Sequence, residues 1–268
     1  MAGTPNTARR KRPRLYLESH YCKFERGLPQ TVFYCPECKG DRKRARNCNR
    51  CEGFGKLTKD SVQEILSRRL LPALKARFGK FHGAGREDLD VLMLGRGRPF
   101  VFEAVGSRNP DLDLKEFLIG FHERNGERVQ FAPFRIVDRA RVAYWKEAKF
   151  AKIYRAIVQL DVRANSEAWQ DLVGKTVAIT QRTPQRVAHR RADLERERRV
   201  ELRSLECHAQ GRLEIQVCCS HGSYVKEWIS GDDGRTRPSL GDLLECQARC
   251  VQLDVLDVLD ILDEEGRG

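Results

Sequence analysis

Two Cys-x-x-Cys pairs constrain the fold of this chain more than any other feature of its sequence. Cys35 and Cys38 form the first pair, and Cys48 and Cys51 form the second after nine intervening residues. Four thiolates complete a tetrahedral zinc shell at about 2.3 Å and leave no open position for a substrate. Two such pairs rarely occur so close together as free surface thiols. The spacing therefore predicts a small module built around a structural zinc ion.

The overall charge indicates a polyanionic partner. The 268 residues include 50 Lys and Arg against 38 Asp and Glu, which gives a net charge of +12. Nucleic acid is the partner such an excess fits best, although charge alone does not separate RNA from DNA or an anionic membrane. No apolar run approaches the roughly 18 residues that span a bilayer, and no signal-peptide core begins the chain. We expect a cytoplasmic protein without a membrane partner.

The segment of residues 85–100 is the second informative stretch. Apolar residues alternate along residues 89–93, which is the period of a strand. The glycines of residues 95–97 are typical of a hairpin turn, and residues 100–105 then predict the returning strand. Asp88 would lie where a loop enters a strand. Such an Asp is a turn cap in one interpretation and a reactive group on a rigid scaffold in the other.

The same segment resembles a known motif. Gly85-Arg86-Glu87-Asp88 resembles the GRxD sequence of pseudouridine synthases, in which the Asp is the catalytic residue. The longer run to Phe100 is similar to one family, the archaeal and eukaryotic tRNA pseudouridine synthases that act on uridines 54 and 55 of the T arm. The similarity continues over about residues 20 to 256.

Two further motifs follow in the order of that family. Lys152-x-Tyr154-x-Ala156, on a strand predicted for residues 152–160, resembles a motif whose Tyr stacks on the target base. Read locally, Tyr154 is a half-buried strand aromatic. Gly222-Ser223-Tyr224-Val225-Lys226 resembles a third motif, whose cation pairs with the catalytic Asp. Three motifs in the same order support the resemblance more strongly than one.

A basic run lies between the second and third motifs and also resembles the family. It carries Arg182, Arg186, His189, Arg190 and Arg191. We interpret it as a strand that grips RNA phosphates, with Arg86 as a further RNA contact. The alternative is an edge strand whose charges prevent edge-to-edge pairing.

The resemblance implies an α+β pseudouridine-synthase fold. It consists of a large mixed, mainly antiparallel sheet with flanking helices and a central cleft. We expect a basic arm over residues 1–14, a strand and zinc module over residues 15–58, a catalytic domain over residues 59–256 and an acidic tail over residues 257–268. The implied protein is a monomeric isomerase with tRNA as substrate, structural zinc and no organic cofactor.

The resemblance also implies roles for the motif residues. Asp88 would act as a nucleophile or would remove a proton on the way to a glycal intermediate. Lys226 would keep Asp88 ionised, because an opposite charge within about 4–6 Å favours the carboxylate. Tyr154 would hold the flipped uracil.

Three alternatives remain open from the sequence. A zinc-dependent RNA-binding protein without catalysis would keep the zinc module and the basic surface. A zinc module of the Hsp40 chaperone type would explain residues 35–55 and nothing downstream. A metal-dependent nuclease could use Asp88 and Asp90, which a strand would place on one face.

Overall fold

The computed structural model describes residues 13–161, 169–189 and 191–259. Within them the chain forms two compact units, each assembled from separate stretches of sequence. The first contains residues 13–20, 29–85 and 99–146, and the second contains residues 21–28, 86–98 and the described residues from 147 onward. Most of the predicted basic arm and acidic tail lies outside the described residues, and the predicted domain boundaries stay a prediction.

The two units are built from strands and short helices. The strands are β1 (Arg14–Lys23), β2 (Phe78–Gly83), β3 (Leu92–Val105), β4 (Val129–Phe131), β5 (Arg135–Val137), β6 (Lys152–Leu160), β7 (Thr176–Arg182), β8 (Glu195–His208), β9 (Arg212–Cys219), β10 (Thr236–Arg237) and β11 (Ala248–Val258). The helices are α1 (Arg42–Ala45), α2 (Val62–Ala73), α3 (Leu114–Asn125), α4 (Ala140–Glu147), α5 (Gln185–Ala188), α6 (Val225–Ser230) and α7 (Leu240–Leu244). In the described part of the chain, none of these helices is both long and apolar enough to cross a membrane.

The second unit is organised around a sheet with the strand order β10-β7-β8-β9-β6-β11-β3. Neighbouring strands are antiparallel, except that β11 and β3 run parallel. Helix α6 packs against β11 and α7. This arrangement confirms an α+β chain with a mixed, mainly antiparallel sheet, while the central cleft stays a prediction.

Strand β6 lies in the middle of that sheet and spans the residues predicted from the sequence. Its β-branched residues, including Ile157 and Val158, suit a pleated backbone with neighbours on both sides. Both neighbours contact it over most of its length, β9 through Lys152 to Gln159 and β11 through Lys152 to Leu160. Tyr154 is therefore held between Val217 and Val255.

The first unit has an aromatic core. Phe100 of β3 stacks on Phe81 of β2 with ring centroids 4.5 Å apart, and it contacts Phe131 and Phe134. Strand β2 pairs with residues 100–105 of β3 in antiparallel register. Helix α2 packs against β2 and begins after Ser61, whose hydroxyl accepts a hydrogen bond from a backbone N–H of the first turn.

The predicted hairpin at residues 95–97 is wrong, because β3 runs unbroken from Leu92 to Val105. Gly95 and Gly97 have φ values of +61° and +82°, which side-chain-bearing residues rarely adopt. A Cβ at Gly97 would lie 2.7 Å from the carbonyl oxygen of Tyr21, and one at Gly95 would overlap that of Leu256. The glycines therefore allow close approach of neighbouring backbone and do not form a turn.

We expect Gly97→Ala to destabilise the protein more than Gly174→Ala. Both glycines have φ near +80°, but a Cβ at Gly174 meets no atom within 4 Å. Left-handed backbone costs an L residue roughly 1–2 kcal/mol at either site. The contact with Tyr21 adds roughly 1–3 kcal/mol at Gly97 alone. Urea denaturation of both variants measures the difference. Equal losses would mean that backbone conformation, and not the contact, requires glycine.

Candidate active site

Asp88 lies in the loop that leads into β3. The N–H of Val91 donates to the Asp88 carbonyl at 3.2 Å, and the N–H of Gly27 donates to the Leu89 carbonyl at 2.8 Å. The Asp88 side chain is 37% exposed, so its carboxylate is accessible to a bound molecule. The loop therefore fixes the backbone of Asp88 and leaves its carboxylate open.

A buried ionic network holds the residue next to Asp88. The Glu87 carboxylate accepts hydrogen bonds from Arg98 Nε and the Tyr21 hydroxyl, each at 2.8 Å. Lys23 Nζ lies 3.8 Å from the same carboxylate and 3.4 Å from the Asp88 carbonyl oxygen. The side chains of Glu87, Arg98 and Lys23 are at most 2% exposed. Burial lowers the pKa of Lys23, and Glu87 opposes this effect. Sequence reasoning missed this network, because its members are far apart in the sequence and Glu87 stands among other charged residues.

Lys226 is carried by α6, which begins after Tyr224. The side chain of Gln181, which is buried, binds both backbone groups of Tyr224. Its Nε2 donates to the Tyr224 carbonyl at 3.0 Å, and its Oε1 accepts from the Tyr224 N–H at 2.7 Å. Gln181 was not predicted as a positioning residue, although it begins the basic run.

The acidic and basic side chains around Asp88 alternate in sign. Lys226 Nζ lies 2.8 Å from Asp90 Oδ2 and 3.6 Å from Asp88 Oδ2. Arg186 Nη1 lies 3.3 Å from Asp88 Oδ2, while Arg186 Nε donates to the buried carboxylate of Glu227. Burial alone would raise the pKa of Asp90, but the hydrogen bonds and charge of Lys226, a backbone hydrogen bond and the charge of Arg26 together lower that pKa. The structure thus brings Asp88 and Lys226 together and adds Arg186.

Tyr154 is half-buried on β6 in the same unit. Removal from water raises the pKa of its phenol, and the negative charges of Glu87 and Asp88 raise it further. Arg98 acts in the opposite direction. The phenol therefore stays protonated at neutral pH and keeps a hydroxyl donor, and the charge of Asp88 acts on it.

Part of the predicted phosphate-gripping strand is a helix. Arg182 ends β7, but Arg186 lies on α5. Arg182 forms a bidentate pair with Asp193, with Nε–Oδ1 at 3.0 Å and Nη2–Oδ2 at 2.6 Å. Both arginines therefore have carboxylate partners within the protein.

The remaining residues of the predicted RNA contact are mostly exposed. Arg86, His189 and Arg191 lie at the surface. Arg190 lies outside the described residues. The RNA-binding roles of these residues stay predictions.

The four predicted zinc ligands converge in the first unit. The sulfurs of Cys35, Cys38, Cys48 and Cys51 all lie within 4.8 Å of one another, and none is in a disulfide. Two sulfur pairs, Cys35–Cys48 and Cys38–Cys51, are 3.7 Å apart. A tetrahedral ion with bonds of about 2.3 Å has sulfur–sulfur edges of about 3.8 Å. The N–H of Gly55 donates to the Cys51 sulfur at 3.2 Å, which supports a thiolate.

Comparison with known proteins agrees with the motif assignment. A family model described as "Pus10, C-terminal" matches residues 16–259. The chain is 42% identical over 244 residues to a tRNA pseudouridine synthase Pus10 of Methanothrix thermoacetophila, covering 91% of this chain and 53% of that protein. It is 40% identical over 256 residues to the Pus10 of Methanopyrus kandleri, covering 94% and 57%. The chain thus spans little more than half the length of these relatives.

Two solved structures are similar at a low level. A Cbf5-Nop10-Gar1 complex matches 74% of this chain and 45% of its own with a TM-score of 0.38 and 17% identity. An archaeal box H/ACA sRNP Nop10-Cbf5 complex matches 74% and 42% with a TM-score of 0.37 and 14% identity. Similarity at this level carries no argument about the site.

We expect Glu87→Gln to destabilise the protein strongly. The change removes the carboxylate charge paired with the buried Arg98, and removing one partner of a buried pair costs about 3–5 kcal/mol. Glu201→Gln is the matched control, because its partner Arg203 lies 3.3 Å away in a partly exposed pair and such pairs contribute about 0–1 kcal/mol. Urea denaturation gives both values. A loss in Glu87→Gln no larger than the control would contradict a structural role for the network.

Proposed function

Because the chain belongs to the Pus10 C-terminal family, we propose that it isomerises uridine to pseudouridine in tRNA. The target we propose is the T arm, at position 54, position 55 or both. The observation that carries the proposal is the exposed Asp88 carboxylate, which lies within 4 Å of the cations of Arg186 and Lys226. These residues and Tyr154 come from distant parts of the sequence and lie in one unit.

The reaction replaces the N–C bond between uracil and ribose with a C–C bond. The bond between N1 and the ribose C1′ breaks, the ring rotates, and C5 bonds to C1′. C5 loses its proton and N1 gains one, so the reaction is balanced without oxidant, reductant or organic cofactor. Asp88 either attacks C1′ to form a covalent intermediate, or removes the ribose C2′ proton to give a glycal. Both routes require an ionised Asp88.

Two cations lie beside the Asp88 carboxylate and orient it. Arg186 is itself held by Glu227, and Lys226 is shared with Asp90. Their distances to Asp88, 3.3 and 3.6 Å, are long for charged hydrogen bonds, so the oxygens of Asp88 retain lone pairs for chemistry.

Tyr154 is the residue proposed to hold the extruded base. Stacking needs only a π-face, and the ring of Tyr154, which lies in the same unit as Asp88, provides it. Its raised pKa keeps the phenol neutral, so no negative charge develops there to repel Asp88 or the RNA. The hydroxyl can then donate a hydrogen bond to the uracil during proton transfer at C5.

The competing proposals predict different use of the carboxylates. A metal-dependent nuclease would need Asp88 and Asp90 as ligands, but both oxygens of Asp90 accept hydrogen bonds from Lys226. A purely RNA-binding protein would have no use for an exposed carboxylate held between two cations. Both alternatives predict no pseudouridine after incubation with tRNA.

We further propose that the cysteine cluster holds zinc in a structural role. Four sulfur donors with tetrahedral spacing are typical of structural zinc and occupy every position around the ion. The ion would then stabilise residues 35–55 without taking part in the reaction, because metal binding to such sites is coupled to local folding.

We expect Asp88→Asn to reduce pseudouridine formation at least about a hundredfold, as the amide can neither attack nor accept a proton. Release of tritium from tRNA labelled at uracil C5 measures the reaction. Binding of tRNA should stay close to wild type. Asp90→Asn is the matched control and should retain most activity. Turnover in Asp88→Asn at the wild-type rate would refute the assignment.

We expect about one zinc ion per chain, lost when Cys35 and Cys38 are both replaced by serine. Metal analysis by mass spectrometry of purified protein gives the stoichiometry. A double serine variant at Cys207 and Cys246, two half-buried cysteines outside the cluster, serves as the control and should keep the ion. Zinc retained after loss of Cys35 and Cys38 would show that other residues bind it.

A further inference from the structure

Four basic side chains gather near the start of β6, the start of β8 and the end of β9. They are Lys149, Lys152, Arg198 and His221, and we call them the basic cluster. The sheet register places Lys152 opposite Cys219, and Cys219 opposite Val200. The pairing continues one step further, because the backbone N–H of Ser220 donates to the carbonyl of Arg199 at 2.9 Å.

The register therefore brings the members of the cluster side by side. Arg198 lies two residues before Val200, which places it next to His221 at the end of β9. Lys149 precedes β6 at the same end of the sheet. Residues two apart on a strand share a face, so Lys152 lies on the face that carries Tyr154.

The cluster differs from Arg182 and Arg186 in its partners within the described residues, because Lys152 and Arg198 donate to backbone carbonyls and not to carboxylates. Arg182 and Arg186 are paired with carboxylates of the protein itself. Among the residues that the structure describes, no carboxylate forms an ion pair with any member of the basic cluster. The cluster is thus a concentration of positive charge that the described part of the protein leaves uncompensated.

Two members of the cluster are built into the structure and are not mobile surface residues. Lys152 is 9% exposed, and its Nζ donates to the Phe150 carbonyl at 3.0 Å. The Nε of Arg198 is buried without a hydrogen-bond acceptor in the described structure. The guanidinium of Arg198 lies against Gly222, since a Cβ there would be 3.4 Å from Nη2. A larger residue than glycine would press on this group.

The electrostatics agree with an anion site. Burial lowers the pKa of His221, and the charges of Lys152, Arg198 and Lys149 lower it further. Burial, with a contribution from Arg98, lowers the pKa of Lys152 to about 8. For His221 and Lys152, the nearby positive charges disfavour the protonated form. A bound anion would therefore stabilise the protonated form of both.

We propose that the basic cluster binds a backbone phosphate of the RNA next to the nucleotide held by Tyr154. The proposal rests on the proposed function for its RNA substrate. A phosphodiester is the anion that an extruded nucleotide necessarily brings with it, on both its 5′ and 3′ sides. Free inorganic phosphate has the same chemistry, so the experiments must distinguish the two sources.

The test measures how RNA affinity depends on salt for Arg198→Gln and Lys149→Gln. Each lost phosphate contact reduces the log–log slope of affinity against salt by about 0.7 on single strands or 0.9 on duplex. We expect Arg198→Gln to give a shallower slope of that size on a T-arm transcript. Lys149 is exposed, so its replacement tests the cluster even where loss of Arg198 impairs folding.

Arg203→Gln is the matched control, because it removes the same charge from the same strand. Arg203 is paired with Glu201 and should leave the slope unchanged. Equal slopes for wild type, Arg198→Gln and Lys149→Gln would overturn the proposal. A changed affinity for inorganic phosphate with an unchanged slope on RNA would also overturn it, because the site would then take free phosphate.

A second measurement identifies the phosphate itself. Single linkages of the T-arm RNA are replaced one at a time by uncharged methylphosphonate. We expect one linkage beside the modified uridine to weaken binding of the wild type and not of Arg198→Gln. Such non-additivity identifies a direct contact. Additive effects at every linkage would refute the contact.

These binding experiments need no turnover. A protein that binds RNA through the cluster but makes no pseudouridine would therefore disprove the proposed function and leave the phosphate site intact. Normal pseudouridine formation with unchanged salt slopes would instead disprove the phosphate site and leave the proposed function intact.

Discussion

The buried pair between Glu87 and Arg98 is the interaction on which the candidate site depends. Two charges removed from water are stable only when each satisfies the other, so neither side chain can move independently. Glu87 is adjacent to Asp88 in the chain, and Lys23 extends the network to the Asp88 carbonyl. The position of the exposed carboxylate is therefore set by groups that no substrate touches. A rigid support of this kind lets a loop residue take part in chemistry with little loss of orientation.

The motifs that depend on local sequence were predicted well. The bounds of β6 follow from its β-branched composition, and the convergence of the four cysteines follows from the geometry of two Cys-x-x-Cys turns. The order of Asp88, Tyr154 and Lys226 in the sequence also identified three residues of one unit. Each of these predictions uses a pattern contained within a few residues, or a resemblance carried by such patterns.

The wrong hairpin prediction and the partner of Arg186 that the sequence did not indicate both concern contacts between distant residues, while the RNA contact of Arg186 stays a prediction. Gly95 and Gly97 have the local signature of a turn, but backbone from Leu256 and Tyr21 occupies the space that a side chain would need. Arg186 has the local signature of a phosphate contact, yet Glu227, 41 positions further along, holds it beside Asp88. Neither partner is visible from the sequence around the residue. For the same reason the sequence did not single out Arg198 among many arginines, since the burial of its Nε and its position near His221 depend on strand pairing.

The position of β11 has a consequence for synthesis of the protein. This strand, Ala248–Val258, lies between β6 and β3 in the sheet, so it separates the strand of Tyr154 from the strand that follows Asp88. Asp254 also accepts a hydrogen bond from the N–H of Leu92 at the start of β3. A nascent chain on the ribosome contains Asp88, Tyr154 and Lys226 before it contains β11. This strand lies between β6 and β3 and packs against α6. Contacts of such long sequence separation carry a loop-closure cost that slows folding, so we expect the site to assemble only after translation has passed residue 258.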